Sequence, residues 1–457
     1  MRLRFWGTRG SIAKPGPSTV HYGGNTACIE VRTADGTLIV LDCGTGAHGL
    51  GQALQASGAG PVRGHLLITH THWDHIQGFP FFAPLFVPGN TWDIYAPGGL
   101  GPRLEETLAG QMESTYFPVT LDQLGATVRY HDLSEGVFRL AGVRVTARYL
   151  NHPALTLGYR LEAAGVTLVY ASDHEPHSRH LPAAPNLSGV ASTGSPVHQE
   201  DQGHIAFLRG ADLVIHDAQY TAAEYTQKLG WGHSPIEYAV DVALAAAAKR
   251  LALFHHDPWR DDASLNRLVK VCRQRVAACG SRLEVFAAAE GQMIELPEGE
   301  LTPRRLAGRE ETAALEHAGE AAAAAETVLI VDDQPEIVEL VRAVLAPEGY
   351  RLLSALDGDT ALRLARAAHP SLILLDWRMP GRDGLEVCGT LRAEADPQLR
   401  DVPVVLLTAQ GGAEDMAAGF AAGIIDYLTK PFKPAYLRSR VRGWLLRARP
   451  DASDGAS

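Results

Sequence analysis

Residues 298–326 are dominated by Ala and Glu and carry few large apolar side chains. A stretch of that composition cannot bury enough surface to offset the entropy of ordering it, so it cannot belong to a core. It reads as a partly helical linker, and the rest of the chain must fold on one side of it or the other. That leaves an N-terminal segment 1–297, a C-terminal segment 327–446 and a polar tail 447–457. The 457 residues, 46% apolar and 20% charged, predict two to four globular domains and exclude a fibrous or fully disordered chain.

On the C-terminal side, five short apolar runs alternate with amphipathic stretches: TVLIV (327–331), RLLSA (351–355), SLILL (371–375), PVVLL (403–407) and DYLT (426–429). Five such units predict a parallel, doubly wound (βα)5 sheet. Polar residues punctuate the strand ends. Asp332 and Asp333 follow the first, Asp376 the third, Thr408 the fourth and Lys430 the fifth. All therefore fall at the C-terminal edge, where parallel sheets place their sites.

The N-terminal side has frequent strands with Gly and Pro between them and fewer helices, one of them around 235–250, which predicts two mixed sheets with helices outside. A formal net charge of −11 offers no global cationic surface, so DNA is an unlikely partner. Five scattered cysteines read as reduced thiols. With no signal peptide or membrane-length apolar run, the expected location is the cytoplasm, with no membrane contact.

The densest chemistry is Leu66-Leu-Ile-Thr-His70-Thr-His72-Trp-Asp74-His75, an apolar strand running into three imidazoles and a carboxylate. Imidazole and carboxylate without thiolate suit zinc, manganese or iron, and alternating donors on a loop can serve two adjacent ions. Further donors are expected at later strand ends. His152 follows VRVTARYLN, Asp173 follows VTLVYAS, and His255 ends RLALF.

On these residues the segment 1–297 resembles the metallo-β-lactamase superfamily of binuclear metal hydrolases. The resemblance implies an αββα sandwich with the site at one edge of its two sheets. Carried over, His70, His72 and His152 would hold the first ion and Asp74, His75 and His255 the second, with Asp173 bridging. His256 is the alternative to His255, disfavoured because it would point to the other side of an extended chain. His72 stands where the redox-active di-iron branch has Glu, which favours zinc-type hydrolysis by two Zn²⁺, Mn²⁺ or Fe²⁺ ions.

Leu213-Val-Ile-His-Asp217 and Gly232-His233-Ser234 look like the acidic strand and His-Ser motif of the tRNase Z and phosphodiesterase branch, with Asp217 standing where Glu is expected. The implied roles are orientation of His233 by Asp217, protonation of the leaving group by His233, and sharing of the attacking water's proton by Asp74. No basic, Gly-rich arm is seen. The acidic segment 102–126 reads as a cover over a small substrate, and 176–204 as a mobile lid whose histidines, His177, His180, His198 and His204, are solvated. Gly23, Gly24 and Asn25 read as turn residues beside the site. Arg9 is equally a substrate-anion ligand or a salt-bridged strand residue.

Residues 327–446 resemble the receiver domain of two-component response regulators. That implies a Mg²⁺ site from Asp332, Asp333, Asp376 and the Arg378 carbonyl, with Asp376 as phosphoacceptor and Thr408, Tyr427 and Lys430 as the switch. No DNA-binding domain follows, so the hydrolase is the expected output. The implied partners are a sensor histidine kinase, a small phosphodiester such as a cyclic nucleotide, and a second copy in a homodimer. A lactone or ester hydrolase, or a non-catalytic metal-binding sensor or scaffold, is the alternative.

Overall fold

The first 297 residues build two mixed sheets. The strands are β1 (Arg2–Gly7), β2 (Cys28–Arg32), β3 (Leu38–Leu41), β4 (Arg63–Leu67), β5 (Thr91–Pro97), β6 (Thr127–Leu133), β7 (Gly136–Leu140), β8 (Val143–Tyr149), β9 (Leu157–Ala163), β10 (Val166–Ala171), β11 (Leu213–Asp217), β12 (Arg250–Phe254), β13 (Glu284–Ala287) and β14 (Met293–Glu295). One sheet runs β14-β1-β2-β3-β4-β5-β6 and the other β13-β12-β11-β10-β9-β8-β7. β3 to β6 pair in parallel, as do β10 to β13, while the remaining neighbours are antiparallel. This computed structural model describes residues 1–58, 60–98, 103–177, 199–297, 326–408, 422–430, 432 and 434–448.

Burial follows pairing. β10 is buried along its whole length, whereas the antiparallel β8 alternates between buried and partly exposed residues. The two sheets face each other. Phe5 of β1 meets Phe254 of β12 at 6.1 Å between ring centroids, and the Tyr159 hydroxyl donates to the Ile68 carbonyl at 2.6 Å. Helix Gly46–Ala56 covers the first sheet through Ala47, Leu50 and Leu54. Helices Ile236–Ala245 and Asp262–Ala278 cover the second through Val240, Ala243, Leu265 and Val269. The result is an αββα metallo-β-lactamase sandwich.

The chain divides into two units, Met1–Ala314 and Leu315–Ser457. The second contains β15 (Thr327–Val331), β16 (Arg351–Ala355), β17 (Leu372–Asp376), β18 (Val404–Thr408) and β19 (Asp426–Thr429), all parallel in the order β16-β15-β17-β18-β19. Central β15, β17 and β18 are wholly buried, and edge strand β16 is half exposed, which explains its more polar sequence. Helix Pro434–Ala448 runs two residues into the stretch read as a polar tail. Nearly all of the linker (298–325), the core of the proposed lid (178–198) and the tail from 449 onward lie outside the described residues.

Candidate metal centre and phosphoacceptor pocket

The site begins with a carboxylate that the sequence reading passed over. Asp42 follows β3 in the left-handed region, at φ 58°, and is fully buried. It accepts from the Thr69 amide at 2.7 Å and the Tyr170 hydroxyl at 2.6 Å, and it meets His75 Nδ1 at 2.8 Å. Facing a carboxylate, Nδ1 carries the ring proton, which leaves the Nε2 lone pair directed inward. His75 Nε2 lies 3.1 Å from Asp173 Oδ1, 3.3 Å from His255 Nε2 and 3.4 Å from Asp74 Oδ2.

Two more of the imidazoles are oriented by the same device. His152 Nδ1 donates to the Gly232 carbonyl at 2.9 Å, so that Nε2 comes to 3.2 Å from His72 Nδ1. His255 Nδ1 meets Gln219 Oε1 at 2.8 Å, and its Nε2 stands 3.1 Å from Asp74 Oδ2 and 3.3 Å from Asp173 Oδ1. Asp173 and His255, both just past strand ends, take φ 57°. Non-glycine residues rarely adopt that conformation, and here it directs the two donors at one point.

All seven donors expected from sequence are brought together. Sets whose ligand atoms lie within 4.8 Å of one another are His70, His72 and His152; His70, His75 and Asp173; and Asp74, His75 and His255. His256 turns away to donate to the Ala288 carbonyl at 2.9 Å. His70 Nε2 is buried with no hydrogen-bond partner, 3.7 Å from Asp173 Oδ2. An orphaned imidazole lone pair beside buried carboxylates fits a cation.

Electrostatics points the same way. Burial, opposed by Asp173, pulls the pKa of His152 down to about 3, and burial likewise keeps His70 and His72 neutral. Burial works against charge on His75 too, but Asp173, Asp74 and Asp42 raise its proton affinity well above normal. Carboxylate charge that would otherwise bind a proton there is available to divalent ions.

Beside this cluster, Asp217 Oδ2 meets His233 Nδ1 at 2.7 Å, so the shorter acid reaches its histidine. Both also fall in a four-donor set with Asp173 and His255. Burial disfavours charge on His233, yet Asp217 raises its pKa to about 9. Glu175 holds the preceding loop, accepting from the Gly230 amide at 2.6 Å, the Gly232 amide at 2.9 Å and the Tyr225 hydroxyl at 3.0 Å.

Several expectations resolve differently. His204 is buried in helix Gln199–Leu208, stacked on His174 at 3.8 Å and 2.9 Å from His216 Nε2, so it is not solvated. Its ring pairs with other imidazoles behind β11, which a polar local sequence does not reveal. Arg9 is fully buried, donates to the carbonyls of Gly23, Asp257 and Arg260, and lies 3.9 Å from Asp262, which favours the salt-bridged reading. Asn25 is tied to Glu290 rather than to the donors. Helix Leu104–Gln111 packs Leu104 and Leu108 into the first sheet's outer core, and the Gln111 side chain donates to the Ile76 carbonyl just beyond the His-rich loop.

In the second unit Asp332 is fully buried at the end of β15, and Lys430 Nζ contacts both Asp332 and Asp376. The Arg378 amide donates to Asp376 Oδ2 at 3.0 Å. Asp333 Oδ1 is buried without a hydrogen-bond partner, which suits a hard-oxygen cation site. Burial raises the Asp376 pKa, with Lys430 opposing it. The Lys430 amide closes on the Thr408 carbonyl at 2.7 Å, and Tyr427 is half-buried on β19.

A two-sheet sandwich with an imidazole and carboxylate cluster, and a parallel sheet with acids at its C-terminal edge, mark a candidate metal-centre domain and a candidate phosphoacceptor domain. Residues 37–256 match the beta-lactamase superfamily domain and residues 328–442 the response regulator receiver domain. The chain thus carries a metallo-β-lactamase-fold domain and a response regulator receiver domain. It is 41% identical over 128 residues to the phosphate regulon transcriptional regulatory protein PhoB of Klebsiella pneumoniae, which covers 28% of this chain and 55% of that protein. The chain thus spans about half the length of such curated relatives. Among solved structures, human tRNase Z, short form, is 22% identical, covering 65% of this chain and 100% of that one with a TM-score of 0.42. A diphosphatase from the PhnP family is 19% identical, covering 65% and 98% with a TM-score of 0.44. Among the described residues no helix is long and apolar enough to cross a membrane.

Proposed function

We propose that residues 1–297 are a metal-dependent phosphodiesterase for a small phosphodiester, and that residues 327–446 are a receiver regulating it through phosphorylation of Asp376. The observation that carries the first half is the Asp217–His233 pair, which lies against the donor cluster with His233 Nδ1 3.8 Å from Asp173 Oδ2. Ester and lactone cleavage can proceed without such an acid, whereas expelling an alkoxide from a phosphodiester benefits from one.

His70, His72 and His152 would hold one divalent ion and Asp74, His75 and His255 a second, with Asp173 between them. Such ions supply Lewis acidity toward a phosphoryl oxygen and make water acidic enough to attack at neutral pH. In this reading Asp74 takes the proton of the attacking water, and the Ser11 amide, donating to Asp74 Oδ2 at 2.6 Å, fixes that carboxylate. His233 gives its proton to the leaving oxygen, and Asp217 keeps the ring aligned. Zinc is the natural choice for this donor set.

In the receiver, Asp332 and Asp333 with the Arg378 carbonyl would hold Mg²⁺, and an Asp376 oxygen would attack the phosphorus of a phosphohistidine from a sensor kinase. The P–N bond breaks and the imidazole leaves. Lys430 and Thr408 then bind the phosphoryl oxygens, and Tyr427 follows Thr408. The protein is expected in the cytoplasm. The discriminating experiment is hydrolysis of cyclic nucleotides, bis(p-nitrophenyl) phosphate and acyl-lactones by zinc- or manganese-loaded protein. Activity confined to lactones overturns the phosphodiesterase reading.

A further inference from the structure

A second group of buried polar side chains supplies none of the seven donors: His174, His204, His216, Asp201 and Tyr238. Burying such groups costs free energy unless each finds a hydrogen-bond partner, so the partners identify what the group holds in place. His174 is its centre. It follows Asp173 directly and is wholly buried.

The hydrogen bonds of its ring run in one direction. Nδ1 accepts from the Asn151 amide at 3.3 Å, which leaves the ring proton on Nε2. Nε2 therefore donates to the Tyr238 hydroxyl at 3.1 Å, and that hydroxyl donates to Asp201 Oδ1 at 2.9 Å. His204 stacks on one face of the imidazole, with centroids 3.8 Å apart and planes 10° from parallel. Helix Gln199–Leu208, which carries Asp201 and His204, and helix Ile236–Ala245, which carries Tyr238, thus hold the ring. Its other nitrogen, Nδ1, is the one that meets a donor-bearing loop.

That loop carries His152, which Asn151 precedes. Asn151 also exchanges two hydrogen bonds with Glu175, from its side chain to the Glu175 carbonyl at 2.8 Å and from the Glu175 amide to its own carbonyl at 2.8 Å. The His174 carbonyl in turn accepts from the Ser234 hydroxyl, one residue from His233. The loops that follow β8, β10 and β11 therefore meet at one residue, and His152 Nε2 comes to rest 3.9 Å from Asp173 Oδ2. We infer that His174 is a positioning residue, whose Nδ1 fixes the approach of His152 to Asp173 and with it the geometry of the first ion's site. This rests on the metal-centre half of the reading above and is independent of which ester is cleaved.

The test compares the full-length protein with His174→Asn, His174→Gln and His174→Leu. Asn places its side-chain oxygen close to the position of Nδ1 and can accept from the Asn151 amide. Gln reaches further, to the position of Nε2, and can donate to Tyr238, while Leu keeps an apolar volume and does neither. Zinc affinity, read by competition with a chromogenic chelator and so without any substrate, should fall about ten-fold in His174→Gln and His174→Leu and stay within about two-fold of wild type in His174→Asn. Should His174→Leu fail to fold, the Asn and Gln variants carry the comparison alone. Equal losses in those two, a larger loss in Asn, or wild-type affinity in Gln overturns the positioning role, because a mere packing defect does not depend on which ring nitrogen is replaced. If wild-type protein binds no zinc, the metal-centre reading falls and this role falls with it. If zinc binds and the two amide variants differ as stated while no phosphodiester is cleaved, the role stands and the phosphodiesterase reading falls.

Discussion

Asp217 is saturated on both oxygens around His233: Oδ2 meets His233 Nδ1 at 2.7 Å, while Oδ1 accepts from the amides of Gln219 at 3.1 Å and Ser234 at 3.2 Å. The carboxylate therefore cannot rotate away from the imidazole without breaking its own backbone contacts. Burial alone would hold His233 uncharged, and Asp217 overrides it to bring the pKa to about 9. Replacing Asp217 by Asn keeps the shape and removes the charge. Phosphodiester kcat should fall on the order of a hundred-fold, with bound metal unchanged. The alkaline limb of the pH profile, where His233 loses its proton, should move to lower pH. An unshifted limb in Asp217→Asn would show that His233 is not the acid.

Asp42 supports three groups at once, Thr69, His75 and Tyr170. Partners that orient a metal-binding imidazole typically contribute about 10–100-fold to affinity. Asp42→Asn should weaken zinc binding by that order in competition with a chromogenic chelator. Wild-type affinity in the folded variant would mean that the Asp42–His75 contact serves packing alone.

A Cβ on Gly10 would overlap the His255 ring, and a Cβ on Gly232 would overlap His152 and also meet φ 88°. Each is a close approach that only glycine permits. Gly10→Ala should reduce bound zinc from two per chain toward one by displacing His255, as metal analysis of the dialysed protein would read. Two ions retained at full affinity would place His255 outside the centre.

His204 and His216 are buried and held below the usual imidazole value of 6.5, mainly by desolvation, and His256 is pushed down to about 3 for the same reason. The folded protein refuses protons that the unfolded chain takes up, so stability falls as pH drops below 6.5. Each such group contributes at most about 1.4 kcal/mol per pH unit in that window. The urea midpoint of the metal-free protein should fall between pH 6.5 and 5, less steeply in His204→Gln, and should decline again toward pH 9 as His233 gives up its proton. A midpoint constant from pH 7.5 to 5.5 contradicts this account.

Phosphorylation of Asp376 should alter turnover. Beryllofluoride added with Mg²⁺ should change the hydrolysis rate of the full chain and leave Asp376→Asn unaffected. Equal rates and equal oligomeric state in all four conditions would reduce the receiver to a docking module.

Strand-end chemistry was readable from sequence because a donor at the end of an apolar run has only one edge to occupy, and this found Asp173, His152 and His255. The same criterion applies to Asp42 at the end of TLIVL, but a residue that holds a donor looks no different in sequence from a donor itself. Gln219 and Glu175 were invisible for a second reason: each acts through a loop contact, to His255 and to Gly230 and Gly232, that depends on how distant strands align. The five receiver strands were legible as apolar runs. β1, β5, β7, β13 and β14 were not, because charged residues interrupt the first three and the last two have only four and three residues, each with a Glu at one end.

The donors come from both sheets: His70 and His75 follow β4 in one, Asp173 and His255 follow β10 and β12 in the other, and Asp42 after β3 bonds Tyr170 on β10. Cations bound here would act as a clasp between two halves otherwise joined by apolar contact and a few buried hydrogen bonds such as those of Tyr159 and Tyr170. Registration of the sheets and occupancy of the centre then become one property. A substitution deep in the interlayer, at Phe254 or Tyr159, would be felt as lost metal before it was felt as lost fold. Chelation, conversely, would loosen the two sheets from each other and leave the strand pairing within each intact.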